Sequence, residues 1–396
     1  MRQKRSGADP IRRAPFLVGL VAGLLAGPGA GLPRPRLELS GYAVHFAIHQ
    51  QNPNALRRFF GLGRSRWINL TRLRLRPSVY LGSSARITLE HELDALRLSS
   101  AFPLIDPGGD ARRQVFRWRW EALSRPRVRI LHYVDRLYFR YDPPWGSLVI
   151  GRQRISWGSG RVWNPTDFFN PIHPAHFEKL EKDGADAASL KLHLGAFSDL
   201  QIVGNTEDRW HRKNVAARLR TNWRGYDLSL VGGYVDERPL IGGDFAGNLG
   251  DAGVRGEWAY LGPRPQAQRP FLKGILGVDH QLHPKLYALA EYHFNGEGEK
   301  ERSRYDFARL FRGELLNVAR HYLFVSAVFQ PHPLVSWSLG GNLNLSDGSR
   351  FLLSSLTYSA GDNLAFSLGV QLFRGGEGTE YSLFPEAAFA KLEWYF

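Results

Sequence analysis

The feature that most limits the fold of this chain is a strict two-residue alternation between apolar residues and small, uncharged polar residues. One predicted strand carries apolar residues on one face, namely Val335, Trp337, Leu339, Leu343 and Leu345. Its other face carries Ser336, Ser338, Gly340, Asn342 and Asn344. The stretch from Leu364 to Leu372 repeats the pattern. A soluble sandwich also alternates, but its outer face carries charges, so this pattern indicates strands with one face suited to lipid.

The composition excludes several classes of protein. The 396 residues include no Cys and one Met, and no run of 18 or more apolar residues occurs in the body of the chain. A helical membrane protein is therefore not expected. Disulfides, thiolate nucleophiles, iron–sulfur clusters and covalently attached haem of the c type are excluded. We expect no cofactor.

The N-terminus has the layout of a secretory signal. Five basic residues precede an apolar stretch from Phe16 to Ala26, and small residues follow it. We predict a signal peptide over residues 1–30 and one β-barrel domain over residues 31–396. Cleavage removes the five basic residues and Asp9, so the formal charge falls from +15 to +11.

The pattern predicts an all-β fold of about eighteen strands. The predicted strands are 38–50, 66–76, 79–92, 127–142, 146–156, 186–195, 198–206, 213–223, 226–235, 239–247, 252–261, 271–281, 285–295, 320–330, 334–346, 349–360, 363–373 and 385–396. Tight turns, such as Pro77-Ser78 and Arg224-Gly225, alternate with long connections at 51–65, 93–126, 157–185, 296–319 and 374–384. This parity predicts a closed, antiparallel, up-and-down transmembrane β-barrel with an inward-folded loop.

The last strand ends in Trp394-Tyr395-Phe396, and aromatic residues cluster near the ends of other strands. In these features the chain resembles Gram-negative outer-membrane β-barrels of the porin-like class. The resemblance implies a location in the outer-membrane lipid, and assembly by the barrel assembly machinery, which reads such a C-terminal strand.

The stretch from Leu148 to Pro174 is the densest in specialised residues. Gly151-Arg152-Gln153, Trp157-Gly158 and Asn164-Pro165-Thr166-Asp167 resemble a pattern of porin-like families, and Gly151-Arg152-Gln153 is also similar to the alginate-export barrels. We predict that loop 157–185 folds into the lumen as a constriction. Arg161, Trp163 and Asp167 are its expected solute contacts, since aromatic faces suit sugar rings and guanidinium groups suit anions. The alternative is a lid resting on the rim.

Alternation also sorts the charged residues. Arginine on the lipid face costs about 2–4 kcal/mol near the bilayer midplane, so charged residues are expected inside the barrel. The predicted pore-lining residues on strands are Arg72, Arg74, Arg152, Arg154, Lys191, Arg218 and Arg220. Fewer carboxylates accompany them, which predicts a basic lumen that selects anions. In the alternative, these arginines pair with carboxylates across the wall and make the barrel rigid.

Other signals are weaker. His173, His176 and Glu178 lack the spacing of a zinc site, and Ser159 lacks a Gly-x-Ser-x-Gly elbow. The dispersed basic residues form no patch or motif that predicts binding to nucleic acid.

The leading hypothesis is a passive outer-membrane channel for anionic or carbohydrate-like solutes. Its rivals use the same barrel as an enzyme, as a surface-assembly protein or as a scaffold around a partner. Few residues separate the predicted signal from the first predicted strand, so we do not expect the plug domain of a TonB-dependent transporter.

Overall fold

The computed structural model describes residues 35–54, 57–58, 61–100, 113–169, 181–207, 212–264, 269–311 and 314–396. These residues form nineteen strands, numbered in chain order. They are β1 (Arg36–Gln51), β2 (Ser65–Leu81), β3 (Ala85–Leu98), β4 (Arg119–Arg125), β5 (Val128–Tyr141), β6 (Gly146–Gln153), β7 (Ala185–His193), β8 (Asp199–Glu207), β9 (Arg212–Trp223), β10 (Tyr226–Val235), β11 (Arg238–Leu249), β12 (Ala252–Leu261), β13 (Phe271–His283), β14 (Leu286–Asn295), β15 (His321–His332), β16 (Val335–Asn344), β17 (Arg350–Gly361), β18 (Leu364–Arg374) and β19 (Glu386–Tyr395). The predicted signal peptide lies outside the described residues.

Helical structure in the described residues is brief. It includes one α-helix, α1 (Phe307–Phe311), and two 3₁₀ turns, Arg302–Arg304 and Glu380–Leu383. Within these same ranges, no helix has the length and apolar character that crossing a membrane requires.

Eighteen of the strands form a closed antiparallel ring. Each strand from β5 onward pairs with its successor, β3 pairs with β5, and β19 returns to pair with β1 from Tyr42↔Tyr395 to Gln51↔Glu386. The remaining strand, β4, pairs with β5 alone, along the part of β5 that the short strand β6 does not reach. The predicted closed barrel of about eighteen strands is therefore confirmed.

The register sorts residues into an inward and an outward face all the way round. Alternate residues such as Leu230, Leu276 and Leu356 are exposed on the outside. Their neighbours along the strands face inward, and those include buried charged side chains such as Arg74 and Glu291. This separation gives the apolar outer band and the polar interior expected of a membrane barrel.

The connections differ at the two ends of the barrel. One end, which we call the short-turn end, carries Arg36, Phe396 and tight turns such as Arg224-Gly225, where Arg224 has a φ of 53° and Gly225 one of 83°. The other, the long-loop end, carries the connections 52–64, 99–127, 154–184, 296–320 and 375–385. The parity predicted from the sequence is thus present.

The predicted turn at Pro77-Ser78 is wrong. Strand β2 continues through both residues to Leu81, which moves β3 about six residues along the chain from its predicted start. Pro77 lacks an N–H, and the ladder between β2 and β3 indeed has no pair at residues 76–77. The partner strand β1 still pairs there, at Leu39↔Pro77, so the strand is held straight. The other predicted strands agree with the structure to within about three residues.

The last residue completes the ring. The N–H of Phe396 donates to the carbonyl of Gly41 at 3.0 Å, and the N–H of Gly41 donates to the carbonyl of Phe396 at 2.8 Å. The Phe396 ring covers Gly41 so closely that an added Cβ would lie 2.7 Å from it. Phe396 therefore contributes both the last backbone hydrogen bonds between the first and last strands and an apolar side chain on the outer face.

Deleting Phe396 should reduce the folded protein in the membrane severalfold, because it removes two closing hydrogen bonds from a wall in which unpaired backbone groups are costly. Phe396→Ala, which keeps both bonds, should have a smaller effect. Heat-modifiable mobility of the membrane fraction on gels measures the folded form. An unchanged folded level after the deletion would contradict this role for the residue.

Candidate functional site

The loop after β6 reaches the far wall of the barrel. Its backbone bonds to Glu257, an inward-facing residue halfway along β12. One carboxylate oxygen, Oε2, accepts the N–H of Ser159 at 2.9 Å. The other, Oε1, accepts the N–H of Thr166 at 2.5 Å and its hydroxyl at 2.8 Å. Gly158 has a φ of 96° and no space for a side chain, since a Cβ would lie 2.5 Å from the same carboxylate.

Glu291 on β14 holds the next part of the loop. It accepts the N–H groups of Arg161 at 2.8 Å, Val162 at 3.2 Å and Trp163 at 2.8 Å. β14 is eight of eighteen places round the ring from β6, so these bonds lie almost opposite the point where the loop leaves the wall. Two buried carboxylates thus replace the water that the loop amides would otherwise bind.

The two ends of the described loop are also fixed. Near its start, the indole N–H of Trp157 donates to Gln201 on β8 at 3.0 Å. Near its end, Glu181 forms ion pairs with Arg76 and Arg136 on β2 and β5. The described parts of the loop therefore contact walls on several sides of the interior, and a role as the constriction remains a prediction.

Arg72 and Arg74 face inward but are buried in an ion-pair network. Five carboxylates surround them, namely Glu90, Glu92, Asp94, Asp135 and Glu181. Arg72 Nε lies 2.8 Å from Glu92 and 2.9 Å from Asp94, and Arg74 Nη2 lies 2.7 Å from Glu90. The alternative weighed from the sequence, pairing across the wall, describes these two residues. Their charges are neutralised locally, so they are poor candidates for anion selection.

Arg152 does not face the lumen, contrary to the prediction. It pairs in register with Asp186, on the face opposite to the buried inward residue Ala187. Arg152 Nε donates to Asp186 at 2.7 Å, and the guanidinium also donates to the Phe116 carbonyl and lies 4.7 Å from the centre of the Trp118 ring. Arg152 therefore holds Phe116 and Trp118 against the outward face of β6 and β7.

The remaining residues predicted in loop 157–185 have different surroundings. Trp163 is 3% exposed, stacks on His293 at 4.9 Å between ring centres, and donates its indole N–H to Asn317 at 3.0 Å. Asp167 is buried and paired with Lys182. Neither can contact a solute as predicted, because protein already covers them. Arg161 is exposed.

Arg154, which follows β6, is exposed as well. The residues His173, His176 and Glu178 lie outside the described residues. In the described ranges, no group of three or more His, Asp or Glu side chains could hold a metal ion. The Ser159 hydroxyl donates to the carbonyl of Phe245 at 3.2 Å, which gives this residue a structural role in the loop.

Glu380, in the connection 375–385, is bonded to the connection 296–320 and to strands β15 and β16. It accepts the hydroxyl of Tyr322 at 2.6 Å and side-chain N–H bonds from Asn344 at 2.8 Å and Asn317 at 3.3 Å. Asn317 in turn accepts the indole N–H of Trp163. Burial raises the pKa of Glu380 from 4.5 to about 7, although these donors favour the ionised form.

Three residues of the predicted set, Lys191, Arg218 and Arg220, face the open part of the interior. Lys191, Gln201 and Arg218 form one inward row across β7, β8 and β9, with Lys191↔Gln201 and Gln201↔Arg218 in register. Lys191 is half-buried and makes no ion pair within the described part of the chain. Arg218 donates to the Ser229 hydroxyl at 3.1 and 2.9 Å, and its contact with Asp244 is longer, at 3.8 Å.

Arg220 lies one step nearer the short-turn end. It pairs with Asp199 at 2.6 Å, and its side chain is 47% exposed. A recess of about 520 Å³ opens at this level. Its lining includes Lys191, His193, Asp199, Arg220, Asn222 and Asp227. Of the predicted pore-lining set, Lys191, Arg218 and Arg220 are the residues that the fold brings together outside the buried network of Arg72 and Arg74.

Several important residues were missed by sequence reasoning. Glu257, Gln201 and Glu380 have no unusual sequence neighbours, and their partners lie about 44 to 98 residues away. Glu257 carried one usable signal, since it is a carboxylate on the inward face of a strand without a nearby basic residue in register. Such a group needs donors from elsewhere in the protein.

The backbone is similar to solved outer-membrane porins. OccAB1 of Acinetobacter baumannii shares 8% identity over 91% of this chain and 96% of that chain, with a TM-score of 0.57. OccD3 of Pseudomonas aeruginosa shares 10% identity over 93% of each chain, with a TM-score of 0.55. OccK8 of the same organism shares 10% identity over 91% of this chain and 98% of that chain, with a TM-score of 0.54. No family model and no curated protein sequence matches the chain. The likeness establishes the fold of Gram-negative outer-membrane porins.

Removing the Glu291 carboxylate should release the loop locally. Because the chain has no cysteine, Val162→Cys gives a single labelling site next to the amides that Glu291 binds. We expect a small thiol reagent to label it about tenfold faster in the Glu291→Ala background, since three amides lose their acceptor. Glu291→Gln should give an intermediate rate.

Glu377→Ala, at an exposed glutamate of another loop, is the matched control and should leave the rate unchanged. All variants are compared after their folded, heat-modifiable form has been verified. Equal labelling with and without Glu291 would show that its bonds do not hold the loop.

The connection 375–385 should be held less tightly at high pH. When the connection is packed, buried Glu380 keeps its proton up to about pH 7, whereas a detached connection with Glu380 in water loses it near pH 4.5. The packed form is therefore destabilised as pH rises from 4.5 to about 7. Amide-exchange protection at Tyr381, corrected for intrinsic rates, should fall about tenfold or more from pH 5.5 to 8. Glu380→Gln should abolish the dependence and Glu377→Gln should retain it. A pH-independent wild type would refute this role.

Proposed function

We propose that the protein is an outer-membrane channel that passes small hydrophilic solutes, with a preference for anionic or carbohydrate-like ones. The support for a channel is the closed barrel, apolar outside and polar inside. A ring of about eighteen strands is wide enough to enclose a water-filled lumen. In this proposal the short-turn end faces the periplasm and the long loops face outward, as in bacterial outer-membrane barrels.

One observation carries the proposed preference. In the row Lys191–Gln201–Arg218, two cations flank an amide, and neither cation has a carboxylate within 3.5 Å in the described residues. This differs from Arg72 and Arg74, whose charges are neutralised. A solute carboxylate or phosphate passing the row can take charge-assisted hydrogen bonds from both cations, whereas the Gln201 amide between them is already bonded to Trp157 and Ser189.

The opposite wall is consistent with passage of polar solutes. The inward faces of β16, β17 and β18 are uncharged toward the short-turn end, where they carry Ser338, Ser355, Thr357 and Ser367. Hydroxyl groups can exchange hydrogen bonds with water or with a sugar at little cost. We therefore place the selecting step on β7 to β9, and the neutral wall opposite acts as a passive lining.

Charge removal in this row should weaken anion preference. In planar bilayers under a salt gradient, Lys191→Gln and Arg218→Gln should each lower the anion-to-cation permeability ratio roughly twofold, and the double variant should lower it further. Lys285→Gln, an exposed lysine in a turn between β13 and β14, is the matched control and should behave as wild type.

Vesicle swelling with a neutral sugar and its uronate of similar size tests the solute class. The wild type should favour the uronate, and the double variant should lose this bias. An unchanged permeability ratio in the double variant would refute selection by this row, whereas a folded wild type without conductance would refute the channel itself.

A further inference from the structure

The outward face of the wall carries an arginine pair near the long-loop end. Arg97 on β3 and Arg125 on β4 both pair in register with Val128 on β5. The three residues therefore form one row across neighbouring strands, with Val128 in the middle. Strands in a sheet lie about 4.8 Å apart, so the two arginine Cα atoms are about 10 Å apart.

The register shows that this row faces away from the lumen. Arg97 lies between Leu96 and Leu98, which are buried in the interior. On β5, Leu131 faces inward and is buried, so Val128 and Ile130 face outward. Leu123 pairs with Ile130 and Arg125 pairs with Val128, which places both residues of β4 on the same outward face.

The height of the row matches the edge of the apolar band. Arg97 is twelve residues along β3 from Ala85, at the short-turn end. With a rise of about 3.3 Å per residue and a strand tilt of about 40°, this distance corresponds to about 30 Å along the barrel axis. The apolar band of such barrels is about 25 Å tall, so Arg97 and Arg125 lie just beyond it, at the level of lipid head groups.

The arginines of this row are available to a ligand. Arg97, Arg125 and the adjacent Arg127 are exposed, and within the described residues none of them makes an ion pair. The nearby acid of β4, Glu121, is already bound to Arg129. The guanidinium groups of Arg97 and Arg125 thus share the outward face without a counter-charge among the described residues, and Arg127 follows in the exposed turn beside them.

The surroundings of the row are apolar and aromatic on the membrane side. Leu123 and Ile130 lie directly below it, followed by Trp120, which stacks on His132 at 5.1 Å between ring centres. Trp67 on β2 is 54% exposed on the same outward face. Aromatic side chains at this depth are typical of the membrane interface.

We propose that Arg97, Arg125 and Arg127 form a binding site for the phosphate groups of a phosphorylated glycolipid in the outer leaflet. The guanidinium fork matches phosphate oxygens in pairs, and the apolar residues below the row match acyl chains. A soluble polyanion would not need an outward wall position above an apolar band, which favours the lipid. The inference uses the outer-membrane location and is independent of solute passage.

The test uses the folded full-length protein in detergent, with lipid A as the probe and native mass spectrometry as the readout. The double variant Arg97→Gln/Arg125→Gln should bind diphosphorylated lipid A about tenfold more weakly than wild type. Arg302→Gln, at an exposed arginine of the connection 296–320, is the matched control and should bind as wild type. Dephosphorylated lipid A should bind wild type and double variant equally weakly.

Two competition experiments distinguish a lipid phosphate from free phosphate and from a soluble polyanion. Inorganic phosphate at millimolar concentration and dextran sulfate are each tested as competitors. The proposal predicts little competition by phosphate and incomplete competition by the polymer. Displacement of lipid A by free phosphate, a stronger effect of the double variant on dextran sulfate than on lipid A, or equal lipid A binding by wild type and folded double variant would each overturn it.

Discussion

A wall placed in lipid must satisfy every backbone N–H and C=O from within itself, and this requirement governs the rest of the molecule. The chain meets it with eighteen strands whose last member, β19, pairs with the first. Because the ring is closed, its register decides for every strand residue whether the side chain faces the lipid or the interior. The same register that keeps leucine and valine outside therefore brings arginine, glutamate and serine inside, and the interior chemistry follows from the closure of the sheet.

Much of the interior charge serves the structure. Glu257 and Glu291 bind loop amides, Glu380 bonds its connection to Asn317 and to strands β15 and β16, and Arg74 lies among carboxylates. Lys273, which also faces inward, is matched by Glu297. Burial opposes ionisation of Glu297, but Lys273 and Arg309 outweigh it and lower the pKa of Glu297 to about 2. The net basic charge of a sequence like this one therefore overstates the free positive charge in its lumen. Among the inward-facing residues that the structure describes, Lys191 is one of the cations without an ion pair.

The sequence predicted the fold well because a two-residue period is a local property. The strand number, the closed ring and the positions of most strands followed from alternation and turn residues. The error at Pro77 arose because a local turn signal was overridden by pairing with β1. The site was harder to predict. Arg152 was assigned to the lumen because alternation alone does not tell which face of an isolated strand is inside, and Trp163 was assigned to a solute because its partner Asn317 is 154 residues away.

The short strand β6 leaves a gap in the wall that the chain fills with a different kind of bond. Beside the outer part of β5, β4 is held on one edge only, and segment 113–118 is fastened to β7 chiefly through Arg152 and Asp186. Between neighbouring strands of the ring, separation requires many backbone hydrogen bonds to break together. At this gap, separation breaks a few side-chain bonds that can fail one by one. Within the described residues, the wall beside the outer part of β5 should therefore open under less force than the junction of β1 and β19, which is paired over ten residues.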